Sequence, residues 1–122
     1  MRPDRAMLTV LIVDDHPSFR AVARMMLETD GFAVVGTEED GESGVAGTLR
    51  LEPDIVLLDV ELPDIDGFVV AARLREAGSE TAIVLASSRD VSDFGSLVAE
   101  SGARGFLTKA ELTGDAIRAL VA

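Results

Sequence analysis

Short apolar runs alternate with longer amphipathic ones along the whole chain. The runs Leu8–Val13, Phe32–Thr37, Asp54–Leu58, Thr81–Ala86 and Gly105–Thr108 are predicted strands. Most are rich in Val, Ile and Leu without polar alternation, the pattern of parallel strands buried on both faces. Between them, Pro17–Thr29 sets Phe19, Val22, Ala23, Met26 and Leu27 on one helical stripe. Pro17 suits its first turn and Gly31 its stop. Further helices are predicted at Gly41–Arg50, Phe68–Ala77, Val91–Ser101 and Glu111–Val121, with Gly78 and Gly102 as C-terminal glycines. Gly95 lies inside the fourth helix, where it costs about 1 kcal/mol relative to Ala, so that helix should be easily displaced. Five β–α units in strict alternation predict an α/β fold, a doubly wound parallel sheet with helices on both faces.

The 122 residues make one domain, 1–122, with a core of ordinary size. Residues 1–7 are expected to form a poorly ordered extension. An apolar fraction of 48% argues against disorder. No apolar run approaches the roughly 20 residues needed to span a bilayer, so no membrane association is expected. The start of the chain lacks the apolar stretch of a signal peptide. The absence of cysteine excludes disulfides and thiolate metal sites and fits a cytoplasmic location. A net charge of −11 would repel a phosphate backbone, so no direct nucleic-acid binding is expected of this chain. The acidity favours cations or a basic partner surface, with most of it lying on solvated helix faces.

In a doubly wound sheet, ligands bind beyond the carboxyl ends of the strands, near the reversal of strand order. That rule gathers Asp14, Asp15, Asp59, Ser87, Ser88 and Lys109 at one edge. Taken singly, each residue has a plainer role: Asp15 or His16 as a helix cap, Asp59 as a strand end, Lys109 as a surface lysine. Their placement at matching strand ends favours a site. Three clustered aspartates are costly without a cation among them. Their hard oxygen donors, with no Cys or paired His, suit Mg²⁺, with Mn²⁺ as an alternative. A carboxylate there can act as a nucleophile and form an acyl phosphate. The metal and Lys109 would neutralise the transferring group, and Ser87 would donate a hydroxyl. His16, the sole histidine, is expected to sit exposed at the first helix, and Met25-Met26 to fill the core.

The segments Val10–Asp15 (VLIVDD), Leu57–Gly67 (LLDVELPDIDG) and Gly102–Lys109 (GARGFLTK) resemble the CheY-like response-regulator receiver family of two-component signalling. The likeness runs over residues 8–121. It implies a flavodoxin-like five-stranded sheet of order 2-1-3-4-5 with five helices. It implies Asp59 as phosphoacceptor, and Asp14, Asp15, Asp59 and the Glu61 backbone carbonyl as metal ligands. Asp15 would bind more directly than Asp14. Ser87 matches the switch hydroxyl, with Ser88 as the alternative if the strand register slips by one. Lys109 matches the phosphate-binding lysine, and Phe106 the aromatic position that rotates inward on activation. The implied partners are a sensor histidine kinase and an output domain or a second receiver in a homodimer. They would meet the face formed by the fourth helix, fifth strand and fifth helix.

Some positions depart from the family pattern. Phe106 replaces the commoner Tyr, and Leu62 a Met. Ala110 follows Lys109 where many receivers have Pro, and a cis bond there would cost about 3 kcal/mol. That replacement points to the branch carrying helix-turn-helix outputs, whose DNA-binding domain is absent from this chain. The chain is then a stand-alone receiver or part of a longer regulator. Glu61 and Arg89 either pair over Asp59 and hinder hydrolytic water or stand as independent exposed charges. One alternative function is a non-phosphorylated pseudo-receiver acting as an interaction module. Another is an aspartate-nucleophile phosphatase, against which stand Glu61 in place of a second Asp and the lack of a cap domain. No G-x-x-x-x-G-K motif is present, which excludes a P-loop NTPase.

Overall fold

The computed structural model describes residues 7–122, so the expectation for the N-terminal extension lies almost wholly outside the described residues. Five parallel strands form one sheet in the order β2-β1-β3-β4-β5. They are β1 (Thr9–Val13), β2 (Ala33–Glu38), β3 (Ile55–Asp59), β4 (Ala82–Ser87) and β5 (Gly105–Thr108). The helices are α1 (Pro17–Thr29), α2 (Gly41–Leu51), α3 (Gly67–Glu76), α4 (Leu97–Glu100) and α5 (Gly114–Val121). The expected flavodoxin-like architecture is therefore present.

Alternation along buried strands builds two cores from one sheet. Val10, Ile12, Ile55 and Leu57 pack with Leu27 and Ile117, from α1 and α5. Their neighbours Leu11, Val13, Val56 and Leu58 point the other way, towards Val70 and Leu74 of α3. Both faces are covered, which is why β1 and β3 read as unbroken apolar runs. β2, at the sheet's edge, is only half-buried along most of its length.

Three strands, β2, β3 and β4, sit one residue later than predicted, with Phe32, Asp54 and Thr81 left before the ladder. The shift matters for the site: Asp59 and Ser87 are the final residues of β3 and β4. Side chains cap three helices at their starts: Asp40 accepts from Ser43 N, Asp66 from Val69 N and Thr113 from Ala116 N.

Two predicted helices need correction. The expected helix Val91–Ser101 is broken into a 3-10 turn, Val91–Phe94, and the four-residue α4. Gly95 separates them at φ 57°, ψ −130°, a conformation that L side chains rarely adopt. The expected helix Glu111–Val121 starts only at Gly114, because Lys109–Glu111 forms its own 3-10 turn and Thr113 caps afresh. In the Lys109–Glu111 turn, the Glu111 carboxylate folds back to accept from Thr108 N at 3.0 Å.

A four-residue helix cannot hold itself by cooperative hydrogen bonding. Amides of residues 91–101 should therefore exchange with solvent faster than those of α1, measured by hydrogen–deuterium exchange. Equal protection of the two segments would contradict this account.

Candidate functional site

The reversal of strand order falls between β1 and β3, and the acidic residues lie there. Asp14 follows β1 and is 1% exposed; its N–H donates to Glu38 O at 3.0 Å. Its Oδ1 accepts from His16 N at 2.8 Å, and its carbonyl accepts from Arg20 Nη1 at 2.7 Å. The buried carboxylate is thus aimed by its own chain and by α1. Asp59, 3% exposed, accepts from Glu61 N at 3.2 Å through Oδ1. Gly67 lets α3 start against it. A Cβ at that position would lie 2.5 Å from Asp59 O and 2.9 Å from Val60 Cα, so a side chain there would push the helix off the acceptor strand.

Lys109 reaches in from the end of β5. Its Nζ lies 2.7 Å from Asp14 Oδ2, 3.6 Å from Asp59 Oδ2 and 4.4 Å from the Phe19 ring centroid. The ring of Phe19 thereby flanks the ammonium with a cation–π contact. Asp14 Oδ2, Asp15 Oδ1 and Asp59 Oδ2 are shut off from solvent, yet none receives a hydrogen bond of proper geometry. The 2.7 Å approach of Lys109 to Asp14 is therefore a Coulombic contact and not an aligned hydrogen bond. One ligand atom each from Asp14, Asp15, His16 and Asp59 lies within 4.8 Å of the others. Buried, unsatisfied carboxylate oxygens in such a cluster fit a hard divalent cation.

Ser87 is fully buried at the end of β4 and hydrogen-bonds at 3.4 Å to Glu61 Oε1. Its Oγ accepts from Arg89 N at 3.0 Å. Ser88 is exposed beyond the strand, so the one-residue register slip does not occur. Glu61 and Arg89 do face one another, with Nη1 and Oε2 3.7 Å apart. Arg89 also lies 3.5 Å from Asp93 and 5.4 Å over the Phe94 ring. Phe94 in turn meets Phe68 at 5.7 Å and Phe106 at 5.8 Å between ring centroids. Phe106 is half-buried, packing against the core and meeting Phe94 in this row of rings.

Three contributors were not singled out from sequence. His16 is exposed as expected, but its ring turns onto the acidic pair instead of capping α1. Phe19, assigned to the helix stripe, flanks the lysine. Asp64 accepts from Gly41 N at 2.7 Å and Glu42 N at 2.9 Å, joining the loop after β3 to the start of α2. Partial desolvation pushes the Asp64 carboxyl up, but the N–H groups of Glu42, Gly41 and Ile65 and its own prevail, holding it at about 2. A signal for His16 was present in the sequence: a residue before proline is held extended, and His16 has φ −94°, ψ 111°.

Burial, followed by the charge of Asp14, pushes the Asp59 carboxyl up to about 6 from 3.8. Lys109 and the Glu61 N–H oppose this, and Asp15 adds to it. The folded chain therefore holds a proton on Asp59 that the unfolded chain has released. Its stabilising contribution is full below pH 3.8 and is lost as pH rises through about 6. Asp59→Asn should stabilise the metal-free chain by about 1–3 kcal/mol at pH 7.5, and by less at pH 5. Urea denaturation in chelator checks this, and a loss of stability at both pH values would refute it.

A family model for the "Response regulator receiver domain" matches residues 10–121. The "Virulence factors putative positive transcription regulator BvgA" of Bordetella pertussis is 36% identical over 110 residues, 90% of this chain and 53% of that protein. Response regulator GacA of Pseudomonas viridiflava is 31% identical over 115 residues, 93% of this chain and 54% of its own length. The chain thus spans about half the length of these relatives. A LuxR-family two-component response regulator from Aurantimonas sp. superposes with a TM-score of 0.86 at 30% identity, covering 94% of this chain and 85% of its own. Motifs, strand order and matches along nearly the whole chain agree: it belongs to the response-regulator receiver-domain family of two-component signalling.

Proposed function

We propose that Asp59 accepts a phosphoryl group from a phosphohistidine on a sensor histidine kinase, and that the chain is a signalling module and not a turnover enzyme. The observation carrying this reading is the convergence of Asp14, Asp59, Ser87 and Lys109 from the ends of four strands. In the transfer, an Asp59 oxygen attacks phosphorus in line. The P–N bond breaks, its electron pair returns to the imidazole, and an acyl phosphate remains on Asp59. Lys109, already between Asp14 and Asp59, donates to a phosphoryl oxygen, and Ser87 donates to another. Mg²⁺, or Mn²⁺, held by Asp14, Asp15, Asp59 and the Glu61 carbonyl would neutralise charge on the transferring group.

The readout proposed is a population shift. A phosphoryl group draws on Ser87, and Phe106 turns inward past Phe94, biasing the face made by α4, β5 and α5. The partner for that face is a DNA-binding output domain, as the named transcription regulators suggest, or a second receiver in a homodimer. A cytoplasmic setting suits such partners; among the described residues no helix is long and apolar enough to cross a membrane.

Incubation with acetyl phosphate and Mg²⁺ should add one phosphoryl group by intact mass spectrometry, and Asp59→Asn should abolish the gain. No gain in the parent would point to a pseudo-receiver. The Glu61–Arg89 pair, bridging towards Ser87 beside Asp59, should hinder attacking water. Arg89→Ala should therefore lose the phosphoryl group faster than the parent, followed by mass spectrometry after the donor is removed; an unchanged or slower rate would remove that role from Arg89.

A further inference from the structure

We propose that His16 is a nitrogen ligand of the cation bound at the acidic cluster, and that it turns this site towards first-row transition cations such as Mn²⁺, Co²⁺ and Ni²⁺ relative to Mg²⁺. The inference rests on reading the cluster as a divalent-cation site. His16 Nδ1 lies 3.0 Å from Asp14 Oδ1 and 3.1 Å from Asp15 Oδ1. It is therefore seated against the same two carboxylates that hold unsatisfied buried oxygens. Its backbone explains why the ring stays there. The His16 N–H is tied to Asp14 Oδ1 at 2.8 Å, and Pro17 follows at the first helical position, fixing the direction of the chain.

The usual duty of a residue at this position is left undone, since the His16 side chain makes no capping bond to α1. The imidazole instead faces the cluster, while 60% of its side chain is open to solvent, so it can adjust around an arriving ion. Mg²⁺ is a hard ion that favours oxygen donors and retains its waters. Imidazole suits later, softer divalent ions, whose affinity for a nitrogen-bearing site rises from Mn²⁺ through Co²⁺ to Ni²⁺. One imidazole among three carboxylates therefore changes the ranking of cations without disabling Mg²⁺ binding.

The test uses the full chain with Mg²⁺, Mn²⁺ or Ni²⁺ alone. Pulsed electron paramagnetic resonance of the Mn²⁺ complex should show coupling to a histidine nitrogen that changes with ¹⁵N-histidine labelling and disappears in His16→Ala. Calorimetry should show Mn²⁺ and Ni²⁺ affinity falling about tenfold in His16→Ala, the scale on which groups supporting metal sites act, while Mg²⁺ changes less than about twofold. His16→Gln, which keeps the length and polarity but not the imidazole, should behave like the alanine variant. Absence of the nitrogen coupling in the parent overturns the proposal. So does an equal loss for all three cations, or tighter Mg²⁺ binding in His16→Ala, which would mark the ring as a competitor for the carboxylates. Asp59→Asn separates the two levels: if every cation still binds that variant as tightly as the parent, the reading of the cluster as a cation site fails as well.

Discussion

Two buried carboxylates, Asp14 and Asp59, sharing one lysine ammonium with Asp15 clustered beside them, set the central physical constraint on this molecule. Like charges packed at strand ends repel, and burial deprives them of the water that would screen them. The raised Asp59 carboxyl is the direct sign of that stress. The sheet bears it because its two apolar cores clamp β1 and β3 from both faces, so the carboxylates cannot relax outward without dragging buried strands. Function and stability are opposed at this point, as they commonly are where a site must stay receptive to an incoming group.

Around that cluster the contacts divide by range. Lys109 and the Glu61 N–H act directly on Asp59. Arg89, by contrast, touches Glu61, Asp93 and the Phe94 ring, and thus spans from the edge of the site to the row Phe68–Phe94–Phe106. Aromatic rings in edge and tilted contact resist small independent displacements, so moving one ring disturbs its neighbours. Phe106 lacks a phenol hydroxyl, so its contact with Phe94 is one of ring packing.

Much of this was legible in the sequence because burial on both faces writes itself as unbroken runs of Val, Ile and Leu. From those runs came the sheet, and from the strand ends came Asp14, Asp59, Ser87 and Lys109. The errors have separate causes: Val22 and Met25, expected on the core side of α1, are exposed because the stripe that packs is Ala23 and Leu27. By propensity Gly95 reads as a helix residue with a penalty, whereas the chain uses it for a backbone turn that ends one turn of helix and begins another. Glu111 was placed inside a helix although it folds back to the Thr108 amide. The site contacts of His16, Phe19 and Asp64 come from side-chain direction or from partners far along the chain, neither of which leaves a periodic trace. Asp64 and Gly41, for example, are separated by 23 positions.

The close approach at Gly67 gives the domain a stator. With no Cβ to hold it away, α3 is seated on the backbone of Asp59 itself, and Asp64 fastens the same loop to α2. Against the same face of the sheet, meeting α3 at Phe68 and Phe94, lies the segment broken at Gly95, with a four-residue helix and no residue fully buried between Ser88 and Glu100. A displacement imposed at Asp59 would therefore meet a stiff mount at α3 and a compliant one at the segment around Gly95. Unequal stiffness on the two flanks of the site is thus set by one missing methyl group at Gly67 and one positive-φ glycine at Gly95.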